Sequence, residues 1–98
     1  MTPLTKTTYR NSTRILCDLL TITQCTDRDG IAVTALCQKS NLSHGRLQNF
    51  LSTLTGSGLI NQIKFDGKNT FVITEKGRLF LEEYTKFHEF AVAYGLEI

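Results

Sequence analysis

The stretch that decides the fold is residues 33–60, VTALCQKSNLSHGRLQNFLSTLTGSGLI. In its second half Leu47, Phe50, Leu51 and Leu54 recur at i, i+3, i+4 and i+7, the spacing of an amphipathic helix. A turn of ~100° per residue then sets Gly45, Gln48, Asn49, Ser52 and Gly56 on the opposite side, with Arg46 and Thr53 on the flanks. Its first half predicts a shorter helix over residues 33–39 that buries Val33, Leu36 and Cys37. Ser40-Asn41-Leu42-Ser43 reads as the connecting turn, with Leu42 as an apolar plug between the helices and Ser43 as the N-cap of the second. Gly58 is placed to close that helix, where a left-handed residue is wanted. The outward face of residues 43–53 is polar, small and free of carboxylates. Such a face suits a nucleic-acid groove, where amide side chains pair with base edges and acids are repelled.

Upstream, residues 1–10 are polar and threonine-rich and read as a flexible lead-in. A helix follows from Asn11 or Ser12 to about Thr23, with Ile15, Leu16, Leu19, Leu20 and Ile22 inward and Cys17 at the edge. Residues 24–30 form a loop, and Ile31 begins a short strand or makes a hydrophobic contact. Downstream, residues 59–65 and 70–73 read as a two-stranded ribbon joined by Asp66-Gly67-Lys68-Asn69, since Asp-Gly between β-favouring runs signals a hairpin. Thr74 then caps a last helix from Glu75 to about Tyr94, with Gly77 in its first turn allowing close packing. Phe80, Tyr84, Phe87, Ala91 and Tyr94 follow each other at 4, 3, 4 and 3 residues, a coiled-coil stripe. Exposed, that stripe costs too much in unburied aromatic surface, so the helix folds back on its domain or pairs with a second chain; pairing is the expectation. Glu82 and Lys86 are set for an i, i+4 contact.

A chain of 98 residues supports one modest core. The net charge of +2 argues against a strong non-specific polyelectrolyte binder, but the charge is unevenly placed. Residues 1–64 carry seven Lys/Arg against three Asp/Glu, a balance of +4, and residues 65–98 carry four against six, a balance of −2. An anionic partner is therefore steered to the first two-thirds of the chain. The first residues contain no apolar signal core, and no apolar run approaches the ~18–20 residues needed to span a bilayer, so a cytoplasmic protein without membrane association is expected. Cys17, Cys25 and Cys37 form no CxxC pair; Cys17 and Cys37 read as small core residues and Cys25 as a loop thiol. No phosphate loop, nucleophile elbow, HExxH or paired-carboxylate motif is present, so no catalytic residue, metal ligand or cofactor is assigned. The expectation is a protein that is not an enzyme.

The order helix, helix–turn–helix, hairpin, long helix, together with the segments RILCDLL, NLSHGRLQNFLSTLTGSGLI and FVITEKGRLFLEEY, resembles small archaeal-type winged helix–turn–helix DNA-binding proteins that dimerise through a C-terminal helix. The resemblance covers residues 14–84. It implies an α+β, mainly α fold of three helices and a β-hairpin wing with a long C-terminal helix. The divisions are a flexible segment at 1–10, a winged domain at 11–74 and a dimerisation helix at 75–98. Carried over by position, Ser43, His44, Gly45, Arg46, Gln48, Asn49 and Ser52 face the major groove of double-stranded DNA. Arg46 suits guanine or phosphate, and Gln48 and Asn49 suit adenine. Thr34 and the amides beside it suit a phosphate, and Lys64, Lys68 and Asn69 place the wing on adjacent backbone. Phe80, Tyr84, Phe87, Ala91 and Tyr94 become the homodimer seam. The implied role is that of a dimeric transcriptional regulator or nucleoid-associated protein. The alternative is a winged-helix module that binds a protein through its aromatic last helix and has no DNA role.

Overall fold

The computed structural model describes residues 12–26 and 28–96. The flexible segment expected at residues 1–10 therefore lies outside the described residues. Along the chain come α1 (Ser12–Gln24), β1 (Ile31–Ala32), α2 (Val33–Ser40), α3 (His44–Gly56), β2 (Ile60–Phe65), β3 (Lys68–Ile73) and α4 (Glu75–Ala93). The result is four helices and a small antiparallel sheet, the mainly helical winged architecture expected from the sequence.

Each helix is one-sided, and the apolar sides meet in one core. Leu19 and Leu20 of α1, Leu36 of α2, Leu47 and Leu54 of α3 and Ile60 of β2 are fully enclosed there. Leu42 is buried between α2 and α3, as its place in the turn suggested. Cys17 is also buried, while Cys37 is only half-buried and Cys25 is exposed. Burial pushes the Cys17 thiol up to about 11; the Asp18 carboxylate acts in the same direction and Arg14 opposes it. A thiol held neutral in this way behaves as a small hydrophobe rather than a nucleophile.

The helix boundaries have visible causes. The Ser43 hydroxyl accepts from the Arg46 amide at 3.3 Å and so caps α3. At the other end Gly58 adopts φ +81°, its amide donates to the Thr55 carbonyl, and the Leu59 amide donates to the Leu54 carbonyl. This is a Schellman closure, and a side chain at Gly58 would strain it. Ser40, read from the sequence as part of the turn, is instead the last residue of α2, and its hydroxyl donates to the Leu36 carbonyl. Asn41 supplies the left-handed residue that ends α2.

The sheet has the order β1-β3-β2. Ile31 pairs with Phe71 and Ile60 with Ile73, so the two-residue β1 is a true strand. The hairpin loop is shorter than the four residues expected. Asp66 and Gly67, at φ 55° and 78°, make the whole turn, while Lys68 and Asn69 already belong to β3. Two consecutive positive φ values define the tight turn whose twist matches the strands, which lets pairing continue to Phe65 and Lys68.

One hydroxyl joins the sheet, the end of α3 and the start of α4. Thr74 Oγ1 lies 2.7 Å from the Gly58 carbonyl and 3.0 Å from that of Leu59, and it accepts from the Gly77 amide at 2.9 Å. Gly77 sits so close to Leu59 that an added Cβ would collide with the Leu59 carbonyl oxygen and lie 2.8 Å from Ile73 Cγ1. The close packing expected at this glycine is therefore backbone on backbone. Beyond it, α4 lies against α1 through Leu81 and Tyr84.

Candidate nucleic-acid interface

The outward surface of α3 is built by the burial of its other side. With Leu47, Leu51 and Leu54 in the core, residues 43–46, 48, 49, 52, 53 and 56 are all exposed. The centre of this ridge is small. Gly45 and Gly56 have nothing within 4 Å of where a Cβ would stand, and Ser52 and Asn49 lie between them. One flank carries His44 and Gln48, whose Nε2 atoms are 3.4 Å apart. This exposed contact sets the two side chains side by side along the flank. The other flank carries Arg46, with its guanidinium 5.9 Å from the centroid of the Phe50 ring. That cation–π contact leaves the guanidinium charged and solvated while restricting its sweep. Among the described residues none covers the ridge, and no carboxylate lies within α3.

Thr34 is exposed in the first turn of α2. The residue before that helix is Ala32, which offers no side-chain cap to its leading amides. The wing residues named from sequence divide between two faces of the ribbon. Lys64 and Asn69 are cross-strand partners on one face, and Lys68 faces Phe65 on the other. All four are exposed at the distal end of the hairpin. Phe65 was not singled out by sequence reasoning. The available signal was its position next to the Asp-Gly turn, beyond the reach of the core that holds Ile60.

The aromatic stripe of α4 also divides. Tyr84 packs against the core and Ala91 is already buried within the single chain, because both lie on the side turned toward the body, with Gly77 and Leu81. Phe80, Phe87 and Tyr94, seven residues apart, are exposed at 38%, 56% and 70%. Phe90, left off the stripe by its spacing, joins them, with its ring 4.9 Å from that of Tyr94. Lys86 meets Glu83 at 3.5 Å, one residue nearer than the Glu82 partner expected from the sequence. Among the described residues, no group of three or more His, Cys, Asp or Glu could hold a metal ion, and no helix is long and apolar enough to cross a membrane.

A family model described as winged helix-turn-helix matches residues 9–92, nearly the whole length. The chain belongs to this winged helix-turn-helix family. Solved structures share the winged-helix fold along most of the chain. Sso10a-2, a DNA-binding protein from Sulfolobus solfataricus, is 24% identical with a TM-score of 0.67; the match covers 88% of this chain and 90% of that one. F-93 of SSV1 is 22% identical with a TM-score of 0.61, over 92% and 99% of the two chains. The MarR family transcriptional regulator SPO1453 from Silicibacter pomeroyi DSS-3 is 19% identical with a TM-score of 0.59, over 84% of this chain and 60% of that one. At these identities the likeness is one of fold. No curated protein sequence matches the chain.

Proposed function

We propose that this winged-helix protein binds double-stranded DNA as a homodimer and acts as a transcriptional regulator or a nucleoid-associated protein. In this reading α3 enters the major groove with Ser43, His44, Gly45, Arg46, Gln48, Asn49 and Ser52, and Thr34 contacts a phosphate. Lys64, Lys68 and Asn69 hold the wing on adjacent backbone. The observation that carries the reading is the carboxylate-free ridge of α3, uncovered among the described residues, whose midline holds only Gly45, Asn49, Ser52 and Gly56 and so allows close approach. The DNA-binding protein and the transcriptional regulator among the similar folds support it. Residues 75–98, which contain α4, serve as the dimerisation segment. The exposed apolar side chains of α4 support a two-fold pair that presents two ridges to successive half-sites.

Fluorescence anisotropy with a labelled mixed-sequence duplex, titrated at low and moderate salt, tests the proposal. Binding that weakens as salt rises is expected, because phosphate neutralisation releases counterions. Absence of binding at low salt overturns it and leaves the aromatic face of α4 as the working surface of a protein-interaction module.

A further inference from the structure

Eight large apolar side chains are exposed among the described residues, and seven of them lie on α4 or just after it. The eighth is Phe65, 45% exposed at the end of β2, far along the chain from the others. Its side chain shares a ribbon face with that of Lys68, its direct cross-strand partner, while Lys64 and Asn69 form the next pair inward on the opposite face. The Asp66-Gly67 turn closes the tip in two residues, and nothing lies within 4 Å of a Cβ built on Gly67. The wing thus ends in a narrow, unobstructed point that carries one aromatic ring beside Lys68 on one face, Lys64 and Asn69 on the other, and one carboxylate at the turn.

Water is a poor partner for such a ring, and the flanking lysines select a polyanion over an apolar protein surface. The minor groove of a duplex is about 6 Å wide. Paired strands about 4.8 Å apart, with their side chains, are too broad to enter it. A single ring standing off one face of the ribbon beside the turn is not too broad. Apolar side chains delivered to that groove wedge between base steps, unstack them and bend the duplex toward the major groove. We propose that Phe65 is such a wedge: with the wing held on the backbone by Lys64 and Lys68, its ring enters the minor groove, opens one base step and bends the bound DNA. The proposal rests on the duplex-binding reading above.

The test uses the full chain and a mixed-sequence duplex of about 25 base pairs, labelled at both ends for energy transfer. Wild-type protein at saturation shortens the end-to-end distance, and a 2-aminopurine probe in the duplex brightens as its stacking is lost. Phe65→Leu keeps most of the bend. Phe65→Ala, checked for an unchanged circular dichroism spectrum and melting temperature, binds within about threefold of wild type but leaves the duplex straight, since the unstacking cost and the wedge contact disappear together. Wild-type binding with no bend and no brightening overturns the wedge and leaves duplex binding standing. Full bending by Phe65→Ala does the same. A wild-type chain that binds no duplex overturns both.

Discussion

Two helices of this small domain, α3 and α4, each bury one side in the same core and turn opposite kinds of surface outward. The outer face of α3 is polar and carboxylate-free, with two glycines and one arginine; that of α4 carries Phe80, Phe87, Phe90 and Tyr94 among Glu82, Glu83 and Glu89. The first face carries no acid and few apolar atoms, whereas the second carries four acids against three bases and most of the exposed apolar area. Under the proposed function the contrast separates two tasks that share one scaffold. Thr74 and Gly77 couple them, because the end of α3 and the start of α4 meet at the Gly58 and Leu59 carbonyls.

The largest effect is expected at that joint. Gly77→Ala drives a methyl group into the Leu59 carbonyl and toward Ile73, neither of which is a flexible tip. A loss of about 3 kcal/mol, read from the urea midpoint, is expected for overpacking against backbone. An unchanged midpoint would mean that the two regions are not mechanically joined there.

Next in size is Arg46→Ala, which removes the firm positive charge of the ridge. Duplex affinity falls about tenfold, the scale of one good base or phosphate contact, with solution mass and melting temperature unaltered. If affinity holds, Arg46 stays over Phe50 and is no part of the interface. The mirror experiment is Phe87→Ala on α4. It weakens self-association about tenfold, as truncation of a buried aromatic anchor does. In sedimentation the mass drops at low concentration, and any loss of duplex affinity is recovered by adding protein. A mass that does not respond to Phe87→Ala would return that side chain to plain solvent exposure. The smallest effect belongs to Lys86→Ala. Its contact with Glu83 joins two side chains that are 66% and 63% exposed, so thermal stability shifts by less than about 0.5 kcal/mol. A larger loss would show that this ion pair is covered by something outside the single chain.

Much of this contrast was legible in the chain. The i, i+3, i+4, i+7 repeat of α3, Ser43 as its cap and Gly58 as its stop are local signals, set by one helix and its ends. Thr74 and Gly77 were likewise readable where they stand. The sequence makes the wing loop too long because propensity marks Lys68 and Asn69 as poor strand formers, whereas the twist of two paired strands draws them into β3. The stripe on α4 was read as one seam because spacing reports which residues share a side, not what that side touches. Docking on α1 consumed Tyr84 and left Phe80, Phe87, Phe90 and Tyr94 outside. Phe65 went unmarked for the related reason that an apolar residue in a strand reads as core until the edge of the core is known.

The sequence alone determined where α3 starts and stops and where α4 starts, which side of each helix is apolar, and that α3 offers no carboxylate. Those properties depend on neighbours within a few positions. Only the tertiary structure decided which apolar side chains remain uncovered. Burial is allotted by elements distant in the chain, and no local pattern records how far a core of this size extends.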